Sequence, residues 1–198
     1  MAVSRLKRLA ASVLAAAAAS GAAAQEREQL PVQVLASSSD FDYQNGVLKF
    51  DAITITQGEI RITAEHAVAS GLEFEDSSWE FSGNVRISMP ESAIASETAR
   101  VRFAGGEIQS AAVTGTPATF EQHRKEEHAQ GRANRIDYDM KLGAVELTGD
   151  AWLSDGKTEV TGATLVYSTT NQRVVSREPV VITIQPGEPA AEKPKPPP

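Results

Sequence analysis

The chain has 198 residues, 41% apolar and 23% charged, a formal net charge of −7 and no cysteine. That length suits one domain or a modest repeat array. The missing cysteines exclude disulfides, thiolate metal centres and a cysteine nucleophile, and the acidic balance is the wrong sign for a general nucleic-acid binder.

At the N-terminus Arg5, Lys7 and Arg8 precede an apolar, Ala-rich run from Leu9 to Ala19, followed by Ala22-Ala23-Ala24. A basic head, a short apolar core and a small-residue site predict a signal peptide over 1–24, cut before Gln25. Its loss takes the formal charge to −10. The mature chain is then expected to be exported, with a short flexible segment over 25–30 and a core that holds without disulfides.

From Pro31 to Gln185 apolar and polar residues alternate. Val32-Gln33-Val34, Ile53-Thr54-Ile55, Ile60-Arg61-Ile62, Val85-Arg86-Ile87, Ile136-Asp137-Tyr138 and Val145-Glu146-Leu147 show the pattern. Period two predicts half-buried strands, so the expected class is all-β and antiparallel. Asn45-Gly46, Gln57-Gly58, Ser82-Gly83-Asn84, Gly105-Gly106 and Asp155-Gly156 are predicted turns. Asn45-Gly46 and Asp155-Gly156 are assigned to tight hairpins with both positions at positive φ. Glu121 to Gln130 is polar all round and reads as a loop.

The strands recur as a unit. Gly83-Asn84-Val85-Arg86-Ile87 resembles Gly149-Asp150-Ala151-Trp152-Leu153 at an offset of 66 residues. Related segments begin near Ala52 and Gly115, so the period is about 32 residues with about four copies. Such units cannot hide their apolar faces alone and stack on their neighbours. In a β protein that predicts a long open layer or a two-layer jelly roll with exposed ends. The C-terminal stretch 185–198 holds six of the ten prolines and is expected to be a disordered tail.

Five segments in order carry a family resemblance. They are Pro31-Val32-Gln33-Val34 with Asp40, Thr56 to Ala64 (T-Q-G-E-I-R-I-T-A), Gly115 to Phe120 (G-T-P-A-T-F), Gly131 to Asp139 (G-R-A-N-R-I-D-Y-D) and Val145 to Ala151 (V-E-L-T-G-D-A). Together they resemble the OstA-like periplasmic family of lipopolysaccharide-transport proteins across residues 31–184. The chain departs from that pattern in an extra repeat from Leu72 to Val113. Asp51-Ala52 also replaces the usual G-N before the T-Q-G strand, and the loop Gln122 to Gln130 is unusually charged.

The resemblance implies an open, twisted antiparallel jelly roll whose apolar trough takes the acyl chains of lipopolysaccharide. The implied partners are an inner-membrane transport component and an outer-membrane translocon, reached by edge-strand pairing near Val32 and Ile182, with head-to-tail copies of the chain itself. By motif matching Val32 and Val34 line one mouth, and Phe120 and Tyr138 lie on the inner wall. Alternation adds Ile60, Ile62, Val85, Ile87 and Ile136. From the residues alone an ordinary filled β core explains this stripe as well as a lipid-lined trough does. A membrane-tethered component of the same system and a structural envelope domain without lipid binding are the competing readings.

Nothing in the chain selects an enzyme, a cofactor or a metal. His123 and His128 lack the spacing that puts two imidazoles on one helical face, and Ser37-Ser38-Ser39 has no Gly-x-Ser-x-Gly elbow. Asp40, Asp42, Glu73, Glu75 and Asp76 do not form a calcium loop with its central glycine. Lone His66 is expected at the surface.

Overall fold

A computed structural model describes residues 30–70, 76–124 and 127–185. The expected signal peptide, most of the segment 25–30, nearly all of the Pro-rich tail, and Glu73 and Glu75 lie outside those residues. The described chain forms strands at β1 Val32–Leu35, β2 Ser38–Asp42, β3 Val47–Gln57, β4 Ile60–Ala69, β5 Asp76–Ser88, β6 Ser92–Ala104, β7 Glu107–Arg124, β8 Glu127–Asp139, β9 Ala144–Ser154, β10 Thr158–Ser168, β11 Arg173–Val175 and β12 Val180–Ile184. No helix occurs among the described residues. All pairings are antiparallel in one sheet ordered β1-β3-β4-β5-β6-β7-β8-β9-β10-β11, with β2 also on β3 and β12 also on β10. The sheet is open: the edge made by β1 and β2 does not pair with the edge made by β11 and β12. The predicted class and antiparallel architecture are thus what the chain adopts. Its repeat is a hairpin, present as β3–β4, β5–β6, β7–β8 and β9–β10.

One device organises the molecule. Each of the long strands β3 to β10 interrupts its ladder near its middle, and the β6–β7 pairing shifts a second time between Arg102 and Phe103. The skips fall at Ala52, between Thr63 and His66, between Ser82 and Val85, between Ala95 and Thr98, between Thr114 and Ala118, between Arg132 and Arg135, at Gly149-Asp150, and between Gly162 and Thr164. A bulge bends its strand and sharpens the local twist. An odd insertion also flips the side-chain alternation. On β3 the inward residues are Leu48 and Phe50 before Ala52, then Ile53 and Ile55 after it. On β8 they change from Ala129 and Ala133 to Ile136 and Tyr138. The apolar set therefore stays on one side of the sheet while the sheet creases.

The crease divides the sheet into two facing halves. One holds β2, β11 and segments such as Ser77–Ser82 and Thr98–Ala104. The other holds β1, β12 and segments such as Val85–Ser88 and Ser92–Ala95. Every strand pairing among the described residues stays within its own half. The core lies between them, where Trp79, Val101, Phe103, Val113, Phe120, Ile136, Leu147 and Leu165 are fully buried.

Several local expectations are corrected. Ser82-Gly83-Asn84 is a bulge inside β5, as Gly149-Asp150 is inside β9. The pairs have φ of 77° and 47°, and of 77° and 51°. Consecutive left-handed residues allow either a hairpin or a bulge, and here the chain continues in the same direction. Asn45 and Asp155 do not have positive φ; only Gly46 and Gly156 do. Their loops are longer than two residues and are held by carboxylates instead. Asp42 accepts the backbone N–H groups of Gln44 and Asn45, and Asp155 those of Lys157 and Thr158. Glu121 to Gln130 is not a loop: β7 runs to Arg124 and β8 starts at Glu127. Gln122 and Ala129 hold the inward positions there, too few apolar residues to register as alternation.

Candidate functional site

The predicted wall residues converge on one interior surface. Ile62, Phe120 and Ile136 are 0% exposed, Val85 and Ile87 1%, and Tyr138 8%. Strand register explains their proximity: Ile62 lies opposite Ile87, Ile87 opposite Ile94, and Ile94 opposite Phe120. The Phe120 ring then meets Tyr138 edge-on at 6.2 Å and Tyr167 at 6.0 Å, joining one half-sheet to the other. Ile60 and Val32 are half-buried against this core, and Val34 is 36% exposed at the sheet edge. In this structure the wall side chains fill the interior against one another. At Gly131, from the G-R-A-N segment, the packing leaves no room for a side chain. A Cβ there would lie 2.7 Å from Leu147 Cδ2 and 3.2 Å from Leu153 Cδ1.

What closes the interior is polar and sits at the strand ends. Gln57, at the outer end of β3, donates from Nε2 to the carbonyl of Gly106 in the β6–β7 turn, 2.5 Å away in the opposite half. Gln122, near the outer end of β7, accepts from the Tyr167 hydroxyl at 2.7 Å and donates to the Thr169 carbonyl at 3.3 Å. Both glutamines are buried, 8% and 4% exposed. Gln57 falls in a predicted turn and Gln122 in a predicted loop, and the structure puts both at inward strand positions. The available signal was parity: Gln57 continues Ile53 and Ile55, and Gln122 continues Ala118 and Phe120.

Three open clefts run along these rims. One of about 700 Å³ is lined by Leu30, Gln57, Ile60, Ile108, Met140 and Lys141 among others. A second of about 370 Å³ includes Met89, Gln122, Tyr138 and Thr169. A third of about 420 Å³ has an apolar floor of Leu153, Val160, Tyr167 and Val174, with Arg124, His128 and Lys157 also lining it. The clefts mark where the two halves meet without a shared hydrogen-bond ladder.

Displaced titrations lie on the outside. Asp51 is held below the usual carboxylate range, first by the Ser38 hydroxyl at 2.5 Å and then by His66 at 2.8 Å. Asp42 is lowered by the Asn45 side chain and then by backbone N–H groups, and Asp155 by the N–H of Thr158. The Arg135 guanidinium is raised by its hydrogen bonds to Asp137. His66 is exposed, as expected. Among the described residues no three His, Asp or Glu side chains converge on a point, and no helix is long and apolar enough to cross a membrane. The register does bring His123 opposite His128, a proximity that helical spacing rules gave no reason to expect.

Residues 66–173 match the family model described as LptA/(LptD N-terminal domain) LPS transport protein. The chain is 23% identical over 146 residues to the lipopolysaccharide export system protein LptA of Haemophilus influenzae, a span of 73% of this chain and 68% of that protein. The crystal structure of LptH, the LptA homologous periplasmic component of the lipopolysaccharide transport device of Pseudomonas aeruginosa, aligns with a TM-score of 0.42 and 18% identity. It covers 79% of this chain and 96% of the LptH chain.

Proposed function

The chain belongs to the LptA/LptD N-terminal domain family of lipopolysaccharide-transport proteins, and on that premise we propose that it is an exported periplasmic carrier for lipopolysaccharide. It receives lipid from an inner-membrane component and passes it towards an outer-membrane translocon. The acyl chains lie between the two half-sheets, against Ile60, Ile62, Val85, Ile87, Phe120, Ile136 and Tyr138. Val32 and Val34 sit at the first-strand edge, and the sugar head stays in water.

The observation that carries this reading is that the apolar halves are joined along their rims by side chains such as Gln57 and Gln122, with no strand pairing across. Each exposed methylene costs about 0.8 kcal/mol, so acyl chains set between the halves replace the apolar contacts that the walls make with one another, and only the few rim hydrogen bonds are given up without replacement. Medium-sized aliphatic walls hold a chain without fixing it at one point, which suits transfer. Arg124 and Lys157, beside the cleft floored by Leu153 and Val160, suit an anionic head at the rim. The apolar edge strand β12, exposed at Val181, Ile182 and Ile184, is a surface for strand addition by a transport partner or another copy.

Photo-crosslinking tests it. A photoreactive residue at Phe120, and another at Val34, should form adducts with lipopolysaccharide. One at Arg100, on the outer face with its guanidinium paired to Glu80, should not. Adducts at Arg100 without adducts at Phe120 would overturn the assignment.

A further inference from the structure

We propose that His123 and His128 form a two-imidazole chelate for a late first-row transition dication, Cu²⁺ in preference to Zn²⁺, at the tip of the β7–β8 hairpin. The site stands at the rim of the proposed lipid interior, because His128 also lines the cleft floored by Leu153 and Val160. The two residues are register partners across the hairpin. The His123 N–H is bonded to the Glu91 carbonyl on the other side of β7 at 2.9 Å. His123 therefore turns its backbone groups towards β6, and its pairing with His128 is the non-hydrogen-bonded kind. That is the closer of the two antiparallel pairings, with Cα atoms about 4.5 Å apart and side chains side by side.

The rings use that closeness in a specific way. His123 Nδ1 and His128 Nδ1 are 2.8 Å apart, with ring centroids at 5.0 Å. Glu121, two residues along the same strand face, places Oε2 3.4 Å from His123 Nε2. A carboxylate there favours the tautomer protonated on Nε2 and leaves Nδ1 as a lone pair facing its partner. This is the arrangement by which an outer carboxylate orients a metal-binding imidazole. A dication bound between the two Nδ1 atoms takes the lone pair of each ring, with both rings carrying their proton on Nε2.

The ligand type bears on which metal. Affinity of an imidazole site rises through the first-row dications to Cu²⁺ and falls again at Zn²⁺, so Cu²⁺ leads the competition for this pair. Both rings are exposed, so solvent can complete the coordination sphere.

The test is titration of the untagged protein with CuCl₂, followed by calorimetry and electron paramagnetic resonance. The expected result is one Cu²⁺ per chain at this site, with hyperfine structure from two nitrogens. His123→Ala and His128→Ala should each weaken it about tenfold or more, and His66→Ala should leave it unchanged. Glu121→Gln should weaken it less than either histidine loss, as befits a positioning residue. Unaltered affinity in both histidine variants, a spectrum without two-nitrogen coupling, or no uptake by the wild-type chain would each overturn the proposal. The spectrum of the wild-type chain decides the matter even if a variant fails to fold.

Discussion

Ala52 holds a left-handed backbone, φ 47°, in the middle of β3 and on the exposed side of the sheet. An L-residue with a Cβ is strained there by about 1–2 kcal/mol, while glycine adds about 0.5–1 kcal/mol of unfolded-state entropy. The strain is the larger, so Ala52→Gly should raise stability by about 0.5–1 kcal/mol, read as a higher urea midpoint with an unchanged slope. The sequence already marks this position, because Asp51-Ala52 stands where the family resemblance leads one to expect G-N. It cannot say that the position is a bulge. Glycine with asparagine or aspartate reports a permitted φ, not whether the chain reverses. A two-residue insertion such as Gly83-Asn84 also keeps the parity of Phe81 and Val85, so the alternation carries no mark of it. Asp155 shows the same limit. Its hairpin was foreseeable, but its means, a carboxylate accepting N–H bonds at 2.8 and 2.7 Å, was not. Its folded pKa lies below the ordinary 3.8. The charged form therefore stabilises the fold above that pH, and the contribution fades as pH falls through the lowered value. Asp155→Ala should cost about 1 kcal/mol at neutral pH, with the gap to wild type narrowing in urea titrations towards pH 3.

At the scale of elements, the terminal strand β12 carries a prediction that its register sharpens. Gln185 N–H bonds to the Lys157 carbonyl at 2.8 Å, and the β10–β12 pairing continues from there as Ile184 with Thr158, Thr183 with Glu159, and Ile182 with Val160. Antiparallel pairs alternate between hydrogen-bonded and non-bonded. Thr183 and Val181 therefore face β10 with their N–H groups, and Ile182 faces away, towards any strand added at the edge. Ile182→Pro should leave the β10–β12 ladder intact and weaken self-association or partner binding; Val181→Pro should instead detach β12. Native mass spectrometry of the two variants separates these effects, and unchanged assemblies in Ile182→Pro would show that this edge is not the docking surface. The hairpin repeats were legible because each carries its own inward stripe, as in Ile53-Thr54-Ile55 and Val85-Arg86-Ile87. The tip of β7–β8 was not. Its inward positions fall to Gln122 and Ala129 near a rim, so the period-two signal faded where the strands end.

Across the whole molecule, a row of bulges turns one sheet into two facing halves, and the rims are the weakest part of the enclosure. Alternation alone gave the buried faces of Ile62, Val85, Ile87, Phe120 and Ile136. The closure across the rim depends on which strand ends meet after folding, and no local pattern encodes that. Gln122, for example, bonds to Tyr167 and Thr169 from more than forty residues away. If lipid enters by parting the halves, tying this rim must block it. Gln122→Cys with Thr169→Cys places one thiol on each side, and the native chain contains no cysteine to interfere. The hydrogen bonds given up are worth only about 1 kcal/mol each, so the unlinked double variant should still fold and load. Bridged by a short bis-maleimide, the same protein should keep its β-sheet circular dichroism and lose uptake of lipopolysaccharide. Reversing the order, with lipid first and bridging second, should leave the cargo trapped. Uptake at the wild-type rate after bridging would mean that the acyl chains enter through an open end of the sheet instead, past Val34 or past Val160, and that this rim does not part during loading.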